Sequence, residues 1–139
     1  MKKIIMFLLS VIMGSFVFAH SPVLSIDEIG DGKIYIEGGF SDGQTAEGIK
    51  CIIVKDKAYN GPEDTFKGKE IIYIGTFGKD NSITIPKPMT PKYEVYFDGG
   101  EGHVLGKKGS KLKKEEESKW NEVVSTFDYG QWKEAMLSK

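Results

Sequence analysis

The chain has 139 residues, with 19 basic and 20 acidic side chains and a formal net charge of −1. All of the basic residues are lysines, so the chain lacks both the basic field and the bidentate arginines that are typical of nucleic-acid-binding proteins, and we exclude that class. A chain of this length accommodates one domain with one hydrophobic core.

The first nineteen residues have the pattern of a secretory leader. Lys2 and Lys3 precede an almost wholly apolar run over 4–18, and Ala19 is a small residue of the kind that signal peptidase prefers before its cut. The run is short for a membrane span, which needs roughly 20 residues. We therefore expect cleavage after Ala19 and export from a bacterial cell to the periplasm or the medium, with an uncleaved anchor as the alternative. The mature chain would begin at His20, with 17 lysines against 20 acids and a net charge of −3.

The middle of the chain consists of short apolar stretches separated by turn signals, which is typical of an antiparallel β-sandwich. The pair Asp31-Gly32 predicts a hairpin turn, because both residues tolerate positive φ. The segment 57–69 contains glycine, proline and charged residues and is predicted to be an exposed loop. The predicted strands cover 23–27, 33–39, 49–56, 70–77, 82–86, 92–98 and a short stretch at 103–106. The prediction is an all-β domain over 20–109, an immunoglobulin-like sandwich of about seven strands.

After Gly109 the pattern changes to that of an amphipathic helical extension, residues 110–139. Ser110 is a plausible N-cap, and Trp120, Val124 and Phe127 recur at helical spacing. A second short helix is expected after the glycine at position 130. The apolar stripe either packs on the sandwich or docks on a partner such as a membrane permease. No membrane span is expected after cleavage.

Cys51 is the only cysteine, so no internal disulfide can form. It lies in the apolar run 49–56, and we expect it to behave as a small buried hydrophobic residue.

The two histidines of the chain, His20 and His103, are the candidate metal ligands. Cleavage would give His20 a free α-amine beside its imidazole, and the two nitrogens can close a chelate ring. A second imidazole would complete a T-shaped set of three nitrogens, which suits Cu(II) or Ni(II). A site made from the terminal peptide alone needs backbone amides, and Pro22 has no N–H. The other ligand must come from the fold, and His103, in a glycine-rich stretch over 98–106, is the natural candidate.

Three acidic residues lie near these histidines in sequence or in predicted loops. Asp98 and Glu101 flank the glycines before His103, and Asp42 lies in the loop over 38–48. Each could supply an oxygen ligand or orient an imidazole. For each, the alternative is a solvated turn residue, and the 38–48 loop has the composition of an ordinary tight turn.

The stretches "IYIEGGFSDG", "GIKCIIVKD" and "YEVYFDGGEGH", together with the histidine after the leader, resemble a known family. It is the small periplasmic accessory component of bacterial nickel and cobalt uptake transporters, an immunoglobulin- or transthyretin-like sandwich. The resemblance covers residues 20–105 and implies His20 and His103 as ligands and a membrane permease as partner. Members of that family often carry a C-terminal transmembrane helix, from which the extension 110–139 departs. A more distant resemblance is to periplasmic copper carriers of the histidine-brace type.

The predicted function is therefore an exported transition-metal-binding protein that delivers Ni(II) or Co(II) to a membrane uptake system. The alternatives are a Cu(II) carrier and a β-sandwich interaction module that binds no metal. No catalytic residues are predicted, because no pairing of a nucleophile with a base is evident, and we expect the protein not to be an enzyme.

Overall fold

The apolar stretches in the middle of the chain form eight antiparallel β-strands in the computed structural model, which describes residues 20–128 and 133–139. The predicted leader, residues 1–19, lies outside the described residues. The strands are β1 Pro22–Gly30, β2 Lys33–Phe40, β3 Lys50–Ala58, β4 Thr65–Phe66, β5 Lys69–Thr76, β6 Ser82–Pro86, β7 Tyr93–Asp98 and β8 Val104–Lys108.

The strands form two sheets, one in the order β1-β2-β6 and the other in the order β4-β5-β3-β7-β8. The first, second and sixth strands thus share one sheet, while the third, seventh and eighth share the other. This is the A-B-E and C-F-G arrangement of immunoglobulin-like domains, with β5 and β4 added beside β3. The predicted fold class is confirmed, with one strand more than the seven expected.

The turn between β1 and β2 follows from its two residues. Asp31 and Gly32 both have positive φ, 56° and 70°, as a two-residue hairpin turn of type I′ requires. The turn pairs Gly30 with Lys33, and an irregularity between Glu28 and Gly30 then shifts the register by one residue, so that Glu28 lies opposite Ile34 and Ile26 opposite Ile36. Ile34 and Ile36, two positions apart on β2, both point into the core and are fully buried.

The central strand β3 is buried on both of its faces. Cys51 and Ile53 belong to the main core between the sheets, and burial raises the pKa of the Cys51 thiol to about 12. Ile52 and Val54 point to the outer face, where they pack in a second cluster together with Phe66. The prediction that the whole segment 57–69 is an exposed loop was therefore wrong at β4. A two-residue strand is too short to produce an alternating pattern in the sequence.

The C-terminal extension closes one end of the sandwich. It comprises a 3₁₀ turn at Lys114–Glu116, helix α1 at Glu117–Thr126 and helix α2 at Lys133–Met136. The Trp120 side chain is 3% exposed, belongs to the main core and lies against Gly32 of the β1–β2 turn. The apolar stripe therefore packs on the sandwich. We call this end, which includes the β1–β2 turn, the base. None of the described helices has the length and apolar character needed to cross a membrane.

Ser110 does not begin the helix, contrary to the prediction. Its carbonyl accepts a hydrogen bond from the Tyr93 hydroxyl at 2.9 Å, and helical structure begins only at Lys114. Residues 109–113 form an irregular connection between β8 and the 3₁₀ turn.

A buried lysine joins the extension to the sandwich. Lys87 follows β6, is 1% exposed, and its ammonium contacts the carboxylates of Glu28 from β1 and Glu116 from the extension. Burial alone would lower the pKa of Lys87, but the hydrogen bonds to these two carboxylates outweigh that effect and raise it. The Lys87 carbonyl accepts a further hydrogen bond from the Trp120 indole at 2.8 Å. We call the triad Glu28–Lys87–Glu116 the base latch.

Candidate functional site

Both histidines lie at the end of the sandwich opposite the base, which we call the apex. His20 lies two residues before the start of β1, and His103 directly precedes β8. Their ring centroids are 5.0 Å apart, with the rings inclined at 71°. The start of β1 and the β7–β8 connection meet because both lie at the same end of the immunoglobulin-like topology. The two candidate ligands are therefore neighbours across 82 intervening residues.

Two hydrogen bonds between Ser21 and Ser41 anchor the chain beside His20. The Ser21 N–H donates to the Ser41 hydroxyl at 3.0 Å, and the Ser41 N–H donates to the Ser21 carbonyl at 2.8 Å. The β1–β2 ladder then begins at once, with Pro22 opposite Phe40. The residue that would become the amino terminus is therefore one position away from a firmly paired segment.

Asp42 is the acid that the fold brings to His20. Its Oδ2 lies 2.7 Å from the His20 Nδ1, and its Oδ1 accepts the Gln44 N–H at 3.1 Å. The Gln44 N–H and then the His20 imidazole lower the pKa of the Asp42 carboxyl. The loop also contains a tight turn, closed by the Gly43 N–H on the Phe40 carbonyl at 2.9 Å. It is thus both a well-formed turn and a wall of the site.

Asp98 and Glu101 have positions that suit turn residues. The Asp98 Oδ1 accepts the Gly100 N–H at 3.2 Å, and the His103 N–H donates to the Gly100 carbonyl at 2.9 Å. Gly100 and Gly102 both have positive φ, 95° and 78°, so the glycines are what allow the chain to fold back. Glu101 is exposed in this turn. Of the three candidate acids, only Asp42 hydrogen-bonds a histidine within the described part of the chain.

Phe40 belongs to the site, and the sequence reasoning missed it. Its ring stacks on the His20 imidazole, with centroids 4.2 Å apart and planes 12° from parallel. It also meets His103 edge-on at 5.8 Å and the buried Phe97 edge-on at 5.3 Å. A single aromatic residue at a strand end looks like an ordinary core residue. Its position depends on the register that puts it opposite Pro22, and that register includes a shift between Glu28 and Gly30 that the turn residues do not predict.

Side chains alone do not make a ready metal site here. Within residues 20–128 and 133–139, no group of three or more His, Cys, Asp or Glu side chains is placed to hold a metal ion. Two imidazole nitrogens and one carboxylate are nevertheless gathered at the apex. A third nitrogen would have to be the α-amine of His20, which exists only when the chain begins at that residue.

The spacing of the two rings indicates how they could share an ion. A metal–nitrogen bond of about 2.0–2.1 Å plus the ring radius puts each ring centre about 3.2 Å from the metal. Centroids 5.0 Å apart would then subtend an angle of roughly 100° at the ion. The centroid distance therefore matches two adjacent ligand positions, provided that one nitrogen of each ring faces the ion. Opposite positions, as in a T-shaped site, would require their centres to separate to about 6.4 Å.

The His20–Asp42 contact bears on the same question. A chelate with the α-amine uses Nδ1 of His20, the atom that contacts Asp42 in this structure. Two neighbouring ligand atoms at about 2.0 Å from one metal lie about 2.8 Å apart when they subtend a right angle, close to the observed 2.7 Å. The same spacing is that of an ordinary hydrogen bond, so an ion bound at Nδ1 would replace this contact.

Comparison with known protein families, curated proteins and solved structures finds no match for this chain. A functional assignment therefore depends on the chemistry of the apex.

Proposed function

We propose that this protein is exported, loses residues 1–19, and then binds Ni(II) or Co(II) for delivery to a membrane uptake system. The ligands are the α-amine and Nδ1 of His20 and the imidazole of His103, with Asp42 as a carboxylate neighbour. The observation that carries the proposal is the 5.0 Å approach of the two imidazole rings at the apex. The protein acts as a carrier and not as an enzyme.

The donor atoms favour a divalent ion over Cu(I). Imidazole, amine and carboxylate groups suit Ni(II), Co(II) and Cu(II), whereas Cu(I) prefers the soft sulfur ligands of Cys and Met. Cys51 is fully buried in the core. Met89 and Met136 pair through a backbone hydrogen bond of 2.8 Å next to the extension, at the base. Cu(II) is the second candidate, because it binds nitrogen sites most strongly in the first-row series.

The contact with a permease is proposed at the apex. Trp120 and Val124 of α1 are buried against the sandwich, so the apolar stripe of the extension is already occupied. The His20 imidazole remains 28% exposed and the Asp42 carboxylate 39% exposed, and an ion held there can be passed to a partner without unfolding of the carrier.

Calorimetric titration of the mature chain, produced with His20 as its amino terminus, tests the proposal. Ni(II), Co(II) and Cu(II) are each titrated into the wild type, into His103→Ala, and into a chain with one extra residue before His20. Both changes should weaken binding by at least about tenfold, equivalent to about 1.4 kcal/mol. Glu101→Gln is the matched control, because this exposed residue lies in the same turn as His103, and its affinity should equal that of the wild type.

An unchanged affinity in both altered chains would contradict the proposal and leave the β-sandwich as a module that binds no metal. A loss in the extended chain alone would assign the ion to the terminal residue and remove His103 from the site. Tighter binding of Cu(II) than of Ni(II) is expected for any nitrogen site, so the choice of cargo is tested separately, by metal analysis of the protein purified from its own periplasm.

A further inference from the structure

We infer that Phe40 is a positioning residue that sets the orientation of the His20 imidazole, and through it the plane in which the ion is bound. This inference rests on the proposed function, because the orientation matters only when an ion binds Nδ1. Nothing in the sequence singled out Phe40. The inference comes from three ring contacts at the apex.

The stack on Phe40 restricts the rotation of the His20 ring. The imidazole and the Phe40 ring are nearly parallel, 12° apart, at a centroid distance of 4.2 Å. Asp42 holds the imidazole at its Nδ1 edge. In the metal-free protein, one contact through the face and one through the edge leave the ring little freedom to rotate about its side-chain bonds. An ion at Nδ1 would replace the edge contact, and the stack on Phe40 would then remain.

Phe40 is itself held in place by its contact with a buried aromatic ring. It meets Phe97 edge-on at 5.3 Å, and Phe97 contacts Phe77 at 5.5 Å. Phe97 is fully buried and Phe77 is 1% exposed. Gly38 makes room for these rings, because a Cβ atom there would lie 2.8 Å from the Phe97 ring. Through its stack on Phe40, the His20 ring is therefore oriented by the rigid core.

The orientation of the His20 ring determines where a bound ion can lie. A metal bound to an imidazole nitrogen lies near the plane of that ring, so the plane of His20 fixes the layer in which the metal must lie. That layer is nearly parallel to the Phe40 ring. Because His103 also meets Phe40 edge-on, at 5.8 Å and 79°, the same aromatic ring contacts both imidazoles. Loss of Phe40 should therefore disorder the donor set without removing any donor.

The test compares Phe40→Leu, Phe40→Tyr and the wild type, each beginning at His20, with Phe66→Leu as the matched control. Phe66 is likewise half-buried and makes an edge-on contact with Tyr96 at 5.1 Å, but it lies on the outer face of the second sheet. We expect Phe40→Leu to weaken Ni(II) and Cu(II) binding by about three- to tenfold, which is the change in affinity that the loss of one aromatic pair typically produces. Phe40→Tyr keeps the ring and should restore the affinity, while Phe66→Leu should leave it unchanged.

Two spectroscopic readouts separate positioning from a general loss of stability. In the metal-free protein, proton NMR should show the His20 ring protons shifted upfield by the Phe40 ring current, and Phe40→Leu should abolish this shift. The two histidines can be assigned with His103→Ala. In the Cu(II)-loaded protein, the electron paramagnetic resonance spectrum of Phe40→Leu should become broader than that of the wild type, and Phe40→Tyr should reproduce the wild-type spectrum.

The outcomes distinguish this inference from the proposed function. Equal affinities and equal spectra for the wild type and Phe40→Leu would overturn the role of Phe40 and leave metal binding standing. Failure of the wild type to bind any of the three ions would overturn both. If Phe66→Leu weakened binding as much as Phe40→Leu, the effect would be one of general stability, which would also overturn the inference.

Discussion

The two ends of the sandwich are built from similar kinds of residue and put them to different uses. At the base, Lys87 and Trp120 are almost completely buried, 1% and 3% exposed, and both form hydrogen bonds within the fold. At the apex, the His20 imidazole and the Asp42 carboxylate contact each other and remain partly open to solvent. Buried polar groups that satisfy one another stabilise a fold, whereas groups held in place but left accessible can bind something else. Substitutions at the base should therefore change stability, and substitutions at the apex should change binding.

The largest effect should come from Trp120→Ala at the base. Truncation of a buried tryptophan removes its core contacts and leaves a cavity, which typically costs about 3–5 kcal/mol. Urea unfolding followed by circular dichroism measures this loss, and Ile29→Ala, at a side chain that is 47% exposed, serves as the control with an expected change within about 0.5 kcal/mol. A small loss for Trp120→Ala would mean that the extension does not complete the core.

Lys87→Met should destabilise the base by a smaller amount. It leaves the carboxylates of Glu28 and Glu116 without their shared cation, and removal of one partner from a fully buried pair costs about 3–5 kcal/mol. Glu28 is 42% exposed, so water compensates in part and we expect about 2 kcal/mol. Lys113→Met removes a 53% exposed lysine that lies 3.7 Å from Glu28 and should change stability by no more than about 0.5 kcal/mol. Equal effects of the two substitutions would contradict a special role for the buried lysine.

At the apex, Asp42→Asn should weaken Ni(II) and Cu(II) binding by about three- to tenfold with little change in the unfolding midpoint. Asparagine preserves the size of the side chain and the acceptor for the Gln44 N–H but removes the negative charge beside His20. Asp98→Asn is the matched control, since the Asp98 carboxylate accepts a hydrogen bond from Gly100 in the turn before His103. If both substitutions weaken binding equally, the effect of Asp42 is one of overall charge and not of its contact with His20.

The smallest effect should be a loss of folding stability at low pH that originates in the Glu28 carboxylate at the base of the sandwich. The hydrogen bond from Lys87 lowers the pKa of the Glu28 carboxyl below its ordinary 4.5. A lowered pKa means that this contribution to stability is fully present above about pH 4.5 and is lost as the pH falls through the folded-state value. As the pH falls below the ordinary value of 4.5, the wild type should therefore lose stability more steeply than Glu28→Gln, measured as urea midpoints. An identical slope in the two proteins would show that the base latch does not respond to acid.

The sequence predicted the sheet elements well because their patterns are local. Short apolar runs between turn signals located seven of the strands, and the strand at Ser82–Pro86 has the predicted bounds. The Asp31-Gly32 turn was also correct, since the two residues themselves determine the conformation. By contrast, β4 is two residues long and is recognisable only by its pairing with β5, which is a long-range property.

The candidate site could be predicted only in part. His20 and His103 were identified from residue type, and their proximity followed from the topology once the sandwich was formed. The role of Asp42 remained one of two alternatives, because a turn residue and a neighbour of an imidazole have the same local sequence. Phe40 could not be identified at all, since a stacking contact depends on a register between β1 and β2 that no local pattern reveals. The packing of Trp120 also needed the structure, because an amphipathic helix carries no mark of the surface that covers it.

The base latch has a consequence for the order of folding. It joins residues 28, 87 and 116. Contacts between positions so far apart in sequence form slowly, because the entropy cost of closing long loops comes before the contacts stabilise the fold. We expect the latch to close only after β1 and β6 are both in their sheet, as the final cooperative step of assembly. A chain that crosses a membrane unfolded would therefore pack its C-terminal extension last. The rate of that step would set how long the segment around Trp120 stays accessible to proteases.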